Sequence, residues 1–162
     1  MKKIKDGDLI FVRPTKWYSW IITKILGTEF SHVAIVYDAE DRLIAETTYD
    51  DIVIRRLDKY DEDDYEVYYV KKFEEGNYDL GNLRKAIIKT VGIDYDYIQL
   101  TLGFWLRILF NIDIVLNNKN EFICSEMLDN IYIDLGIDIV PEYRTGNITP
   151  KDLLHSDKII NR

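Results

Sequence analysis

Two apolar runs flank a short polar turn: Ser31-His-Val-Ala-Ile-Val-Tyr37, then Asp38 to Arg42, then Leu43-Ile-Ala-Glu-Thr-Thr48. Runs rich in β-branched residues and bounded by polar clusters read as the antiparallel arms of one hairpin. A five-residue turn pairs Tyr37 with Leu43, so paired residue numbers sum to about eighty. His32 then lies opposite Thr48, and Glu46 is its diagonal neighbour on the same face. Such diagonals are roughly 7–8 Å apart, within reach of an imidazole and a carboxylate. A slip of one residue would send Glu46 to the other face, so the register decides whether the two can meet.

Further elements follow along the chain. Gly7-Asp8 turns into a short buried strand, Leu9 to Val12, which stops at Pro14. Lys16 to Leu26 carries Trp17, Trp20, Ile21 and Ile25 at helical spacing before Gly27. This segment is either an amphipathic helix packed on the core or one wall of a hydrophobic groove. Strands are expected at Ile52 to Leu57 and Glu66 to Lys72. The acidic run between them, Asp58 to Tyr65, matches no calcium-loop spacing and reads as a solvated loop.

From Asn77 the period becomes helical, with Leu80, Leu83, Ala86, Ile87 and Thr90/Val91 on one face and a stop at Gly92. Ile98 to Val115 is strongly apolar but carries Arg107 and Asp113, which makes it marginal as a membrane span. It reads as a buried helix in preference to a lipid-facing hairpin arm. Thr149 and Pro150 are the N-cap and first residue of a short final helix. Neither repeat nor linker interrupts residues 1–162, so a single domain is expected.

Composition narrows the function. A net charge of -8, from 21 basic and 29 acidic residues, argues against nucleic acid, whose phosphates need a cationic face. It disfavours anionic membrane surfaces for the same reason. With one cysteine, no internal disulfide can form, and a reducing compartment suffices. The N-terminal lysines give way to Asp6, Gly7 and Asp8 before any signal-like apolar run, so a cytoplasmic protein without a cleaved leader is expected.

That cysteine is Cys124, ahead of a helical stripe of Met127, Leu128, Ile131 and Leu135 that ends at Gly136. A thiol at a helix N-terminus feels the positive end of the macrodipole, which favours thiolate. The competing reading is a small core residue that continues the stripe. Two histidines and one cysteine without short ligand spacing offer poor support for a metal. Phosphate-cradling glycine loops and a serine nucleophile elbow are both missing. What remains is a cysteine nucleophile, an imidazole base and a carboxylate that orients the ring. His155, beside Ser156 and Asp157, is most simply a surface residue, whereas His32 opens a buried strand.

The motifs carry a family resemblance. Gly7-Asp-Leu-Ile-Phe11, Ser31-His-Val-Ala-Ile-Val36 and a glutamate on the return strand are followed by Gly92-x-x-Tyr-Asp96. Phe122-Ile-Cys-Ser-Glu-Met-Leu128 and Thr149-Pro-x-Asp-Leu153 complete the set. Together, from Gly7 to about Ser156, they resemble the circularly permuted papain-like amidases and peptidases of the NlpC superfamily, the YiiX/YaeF type. In such proteins the histidine precedes the cysteine, as here.

The resemblance implies an α+β fold in which an antiparallel, barrel-like sheet packs against the helix bearing the nucleophile. It implies Cys124 as nucleophile, His32 as base and Glu46 as orienting carboxylate, with Thr47, Thr48 and Tyr49 as other sources of the third group. The expected activity is that of a thiol hydrolase, an amidase or peptidase cleaving an amide through a thioacyl intermediate, with no cofactor or metal. Substrates would be peptides, amino-acid amides or cell-wall fragments. An alternative is a lipid-like amide or ester, hydrolysed or transferred, with Trp17, Trp20 and the apolar 98–115 segment as acyl groove and membrane contact. A non-catalytic binding module on the same fold is a third.

Overall fold

The structure is a computed structural model, and it describes residues 4–15, 30, 32–48, 51–60, 65–73, 78–92, 124–140, 148 and 150–161. The expected Lys16–Leu26 helix, the 98–115 segment and the Thr149 cap lie outside these residues. Six strands form one antiparallel sheet: β1 (Leu9–Pro14), β2 (His32–Asp38), β3 (Leu43–Thr47), β4 (Ile52–Arg56), β5 (Tyr65–Phe73) and β6 (Ile159–Asn161), in the order β4-β3-β2-β1-β5-β6. Among the described residues three α-helices accompany them: α1 (Leu80–Thr90), α2 (Cys124–Asp134) and α3 (Pro150–His155).

The expected α+β architecture, a sheet packed on helices, is present, but the sheet is open and not barrel-like. Among the described residues β4 and β6 are its two ends and do not pair. The physical reason lies in the two faces of the central strands. Leu9, Phe11, Val33, Ile35 and Ala45 pack with Leu83, Ile87, Met127, Leu128 and Leu153 of the helices. Ile10, Val12, Ala34, Val36 and Ile44 pack on the other side with Leu57 and Tyr60. Both faces of the central strands are thus buried without any pairing of β4 with β6. Each fully buried Leu, Ile or Met in these layers contributes about 1.5–3 kcal/mol relative to exposure.

The hairpin register follows the expected sum of eighty in its inner part, where Ile35 pairs Ala45 and Val36 pairs Ile44. At the tip it shifts: Leu43 faces Asp38, not Tyr37. The Asp38 carboxylate accepts from the backbone N–H groups of Glu40 and Asp41 at 3.0 and 3.1 Å, and Arg42 takes a φ of 54°. This side chain-to-backbone turn draws Asp38 into the ladder and leaves Tyr37 as the extra residue. β1 also runs through Pro14, paired with Tyr65 on β5. A further register shift, opposite Phe11/Val12, leaves Tyr68 as an extra residue in β5.

The acidic stretch after β4 is not all solvated loop. Leu57–Tyr60 forms one 3-10 turn, and Leu57 and Tyr60 are buried. In α1 the buried face is Leu83, Ala86, Ile87 and Thr90, while Leu80 and Val91, expected on that face, are exposed. Asp79 caps α1 by accepting from the Asn82 backbone N–H at 3.0 Å.

Gly7 lets α1 approach β1. Its φ is +81°, and a Cβ there would stand 2.5 Å from the Tyr78 hydroxyl and 2.9 Å from Leu83 Cδ2. Only glycine meets both demands. Arg84 then ties α1 to the sheet, donating to Asp6 at 2.7 Å and Asp38 at 2.9 Å and lying over the Tyr37 ring.

Candidate active site

α2 starts at Cys124, so the Cys124 N–H has no partner within the helix itself. Its far end closes as the sequence predicts. Gly136 has φ +76°, the Gly136 N–H donates to the Ile133 carbonyl, and the Ile137 N–H donates to the Tyr132 carbonyl. This is the Schellman pattern. Met127, Leu128, Ile131 and Tyr132 seat the helix against the sheet, and Ser125 donates to the Ile148 carbonyl beneath its first turn. Cys124 itself is 8% exposed and belongs to the apolar cluster. Both readings of the sulfur therefore describe part of its surroundings.

The other part is His32, the first residue of β2, paired across the ladder with Val12. The imidazole meets Glu46 Oε2 through Nε2 at 2.8 Å, and the Cys124 side chain beside it helps to hold the ring's proton. Nε2 is occupied by the carboxylate, which leaves Nδ1 for the sulfur. The structure thus brings the three sequence-predicted residues together. Thr48, considered for the third position, instead bonds Asp51. Tyr49 lies outside the described residues. His155 is exposed, its Nδ1–H donating to the Lys151 carbonyl, as expected of a surface residue.

Glu46 is completely buried, and its carboxylate is met on both oxygens. Tyr60 donates its hydroxyl to Oε2 at 2.5 Å. Arg55 Nε stands 2.9 Å from Oε1, and the Lys59 ammonium reaches the same oxygen. Neither of these is aligned as a hydrogen bond, so they are charge contacts. Arg55, Lys59 and Tyr60 were not anticipated from the sequence: Arg55 falls in an expected strand whose charged side chains carry no sign of a partner, and the acidic residues around Lys59 and Tyr60 suggested a solvated loop. The available signal was the three-residue apolar spacing of Leu57 and Tyr60, which fits a buried 3-10 turn.

These contacts set the charges. Burial alone would push the His32 pKa down, but the bonds to Cys124 and Glu46 outweigh it and raise the value from 6.5 to about 9. Burial would raise the Glu46 pKa, yet His32, Lys59 and Tyr60 hold it down at about 2. At neutral pH the ring is an imidazolium facing a carboxylate.

A folded-state pKa above the unfolded one stabilises the fold at low pH and loses that contribution as pH rises. The stability difference between wild type and His32→Gln is therefore expected to be constant below about pH 6.5 and to lose its pH-dependent part as pH passes about 9. Urea unfolding of both proteins from pH 5 to 10 checks this. A difference that grows across that range contradicts it.

A groove of about 430 Å³ between α1 and α2 is lined by Tyr78, Lys85, Lys89 and Asp134, among others. Asp134 is ten residues from Cys124, roughly 15 Å along the helix at 1.5 Å per residue, so this groove is remote from the sulfur.

No known family profile and no curated protein matches the sequence. The fold is nevertheless shared. An α+β chain with an antiparallel sheet packed on helices is what the resemblance implied, and a solved structure has this architecture. It is the crystal structure of metalloprotein yiiX from Escherichia coli O157:H7, matched with a TM-score of 0.68 at 13% identity over 99% of this chain and 97% of that one. The likeness to the YiiX type, expected from the motifs, is therefore present in the fold.

Proposed function

We propose that this chain is a thiol hydrolase of the permuted papain-like, NlpC type, acting on an amide bond. One observation carries the reading: a single imidazole bonded to a buried carboxylate, with its proton held by a sulfur that opens a helix. In the proposed cycle the Cys124 thiolate attacks the carbonyl carbon, and the oxyanion that forms is met by the Cys124 N–H. His32 gives its proton to the departing amine as the C–N bond breaks, leaving a thioacyl enzyme. The neutral imidazole then takes a proton from water, which attacks the thioester and restores the thiolate–imidazolium pair with release of the acid. Glu46 holds the ring through Nε2 and is not protonated in the cycle.

The solved structure of similar fold is described as a metalloprotein. Among the described residues of this chain, no group of three or more His, Cys, Asp or Glu is placed to hold a metal. Glu46 already faces Arg55 and Lys59, whose charges oppose a further cation. No step of the cycle is assigned to a metal.

Substrates proposed for this site are peptides and amino-acid amides. The lipid-directed alternative depends on Trp17, Trp20 and the 98–115 segment, outside the described residues. The test is the rate of Cys124 alkylation by iodoacetamide as a function of pH, in wild type and His32→Ala. The expected result is reaction well below pH 7 in wild type that disappears with His32. The same ordinary thiol titration in both proteins would return Cys124 to a core role and the chain to a binding module.

A further inference from the structure

We propose that Lys59 and Arg55, with Tyr60, are positioning residues that keep the Glu46 carboxylate ionised and aimed at His32, so that the ring and not the acid carries the proton. The argument is one of lone pairs and charge. A carboxylate has about four acceptor directions on its two oxygens. Here His32 and Tyr60 hydrogen-bond Oε2, and the two cationic heads hold Oε1 by charge, so the group is tethered at both oxygens. A carboxyl group with no exposed surface is driven towards its neutral form unless positive charge stands beside it. His32 alone supplies one such charge, but only while it is itself protonated.

Arg55 and Lys59 supply charge that does not depend on the state of the ring. They come from independent elements that converge on one oxygen. Arg55 lies on β4 opposite Ile44, and Lys59 lies on the 3-10 turn that also presents Tyr60. In a chain whose net charge is -8, two cations on a single buried oxygen form a dedicated arrangement.

The inference depends on the thiol-hydrolase reading for its meaning in turnover, but its charge balance can be measured separately. The carboxyl resonance of Glu46, in protein labelled with 13C-glutamate and assigned against Glu46→Gln, reports its titration midpoint. Removing an opposite charge at this range raises a carboxyl pKa by about one to three units. The midpoint is expected to rise by that amount in Lys59→Met and further in Lys59→Met/Arg55→Gln, and to stay near the wild-type value of about 2 in Lys59→Arg.

Alkylation of Cys124 supplies a second readout. The rate with iodoacetamide at pH 5 is expected to fall about tenfold in the double variant, with the rate at pH 8 unchanged, because Glu46 is still ionised there. A structural defect would slow both. A midpoint that stays at about 2 in the double variant, or one that moves equally in Lys59→Met and Lys59→Arg, overturns the proposal. If the double variant does not fold, the two single variants decide by the same midpoint. If alkylation is indifferent to His32 in every protein, the hydrolase reading fails while the Glu46 midpoint still decides this one.

Discussion

Cys124→Ala is expected to abolish amide turnover, with a loss on the order of 10⁶-fold, the scale seen when the nucleophile of a triad is removed. The structure makes this substitution a clean one. The side chain is small, 8% exposed and packed beside apolar residues, so alanine leaves the helix seat of Met127, Leu128 and Ile131 in place. His32→Ala should cost less, about 10²–10⁴-fold, because attack and oxyanion stabilisation persist without proton transfer. The double variant should be no slower than Cys124→Ala alone, since the two groups act on one step and their effects do not add. Release of a coloured amine from a panel of acyl arylamides measures all three. Turnover that survives in Cys124→Ala would mean that the sulfur is not the nucleophile.

Glu46→Ala is expected to be the most damaging single change to stability, by about 3–5 kcal/mol, the range for removing one partner of a buried charged cluster. Four groups lose their common acceptor at once: His32, Tyr60, Arg55 and Lys59. The lower end of the range is the better expectation. Arg55 and Lys59 are 38% and 35% exposed and can turn to water, whereas His32, 21% exposed, and the buried Tyr60 hydroxyl have less access to it. Glu46→Gln keeps the shape and one acceptor oxygen and should fall between the two. Against a typical total of about 5–15 kcal/mol, the alanine variant loses a large share of its margin. Urea unfolding at pH 7 gives the number. A cost under about 1 kcal/mol would mean that the cluster relaxes freely and does not stiffen the sheet.

How much of this could be read from the sequence depends on the kind of signal each element leaves. The inner hairpin was legible because period-two alternation ties each side chain to a face, and a buried face tolerates no slip. Its tip was not, because the shift comes from the Asp38 carboxylate closing the turn on the Glu40 and Asp41 amides, a contact that alternation does not encode. The end of α2 was legible because glycine after a helical stripe has one cheap conformation, the left-handed one that Gly136 adopts. β6 was missed because three residues are too few for any period to show.

The approach of His32, Glu46 and Cys124 followed from strand register, the motif order and the resemblance. The cations behind Glu46 did not, because a strand arginine such as Arg55 or a lysine inside an acidic run such as Lys59 looks alike whether it faces water or a buried carboxylate. Barrel closure was carried over from the resemblance, whereas among the described residues both faces of the central strands are buried without it.

The histidine that opens β2 and the sulfur that opens α2 are ninety-two positions apart, and they meet only when the sheet and the helix are packed together. Local folding alone therefore cannot arm this thiol. On the proposed reading, a nascent, nicked or partly opened chain would carry an ordinary cysteine, and nucleophilic character would arrive only with the completed tertiary structure. In such a design the protein's chemistry doubles as a report on its own integrity, and a damaged copy is inert instead of indiscriminately reactive.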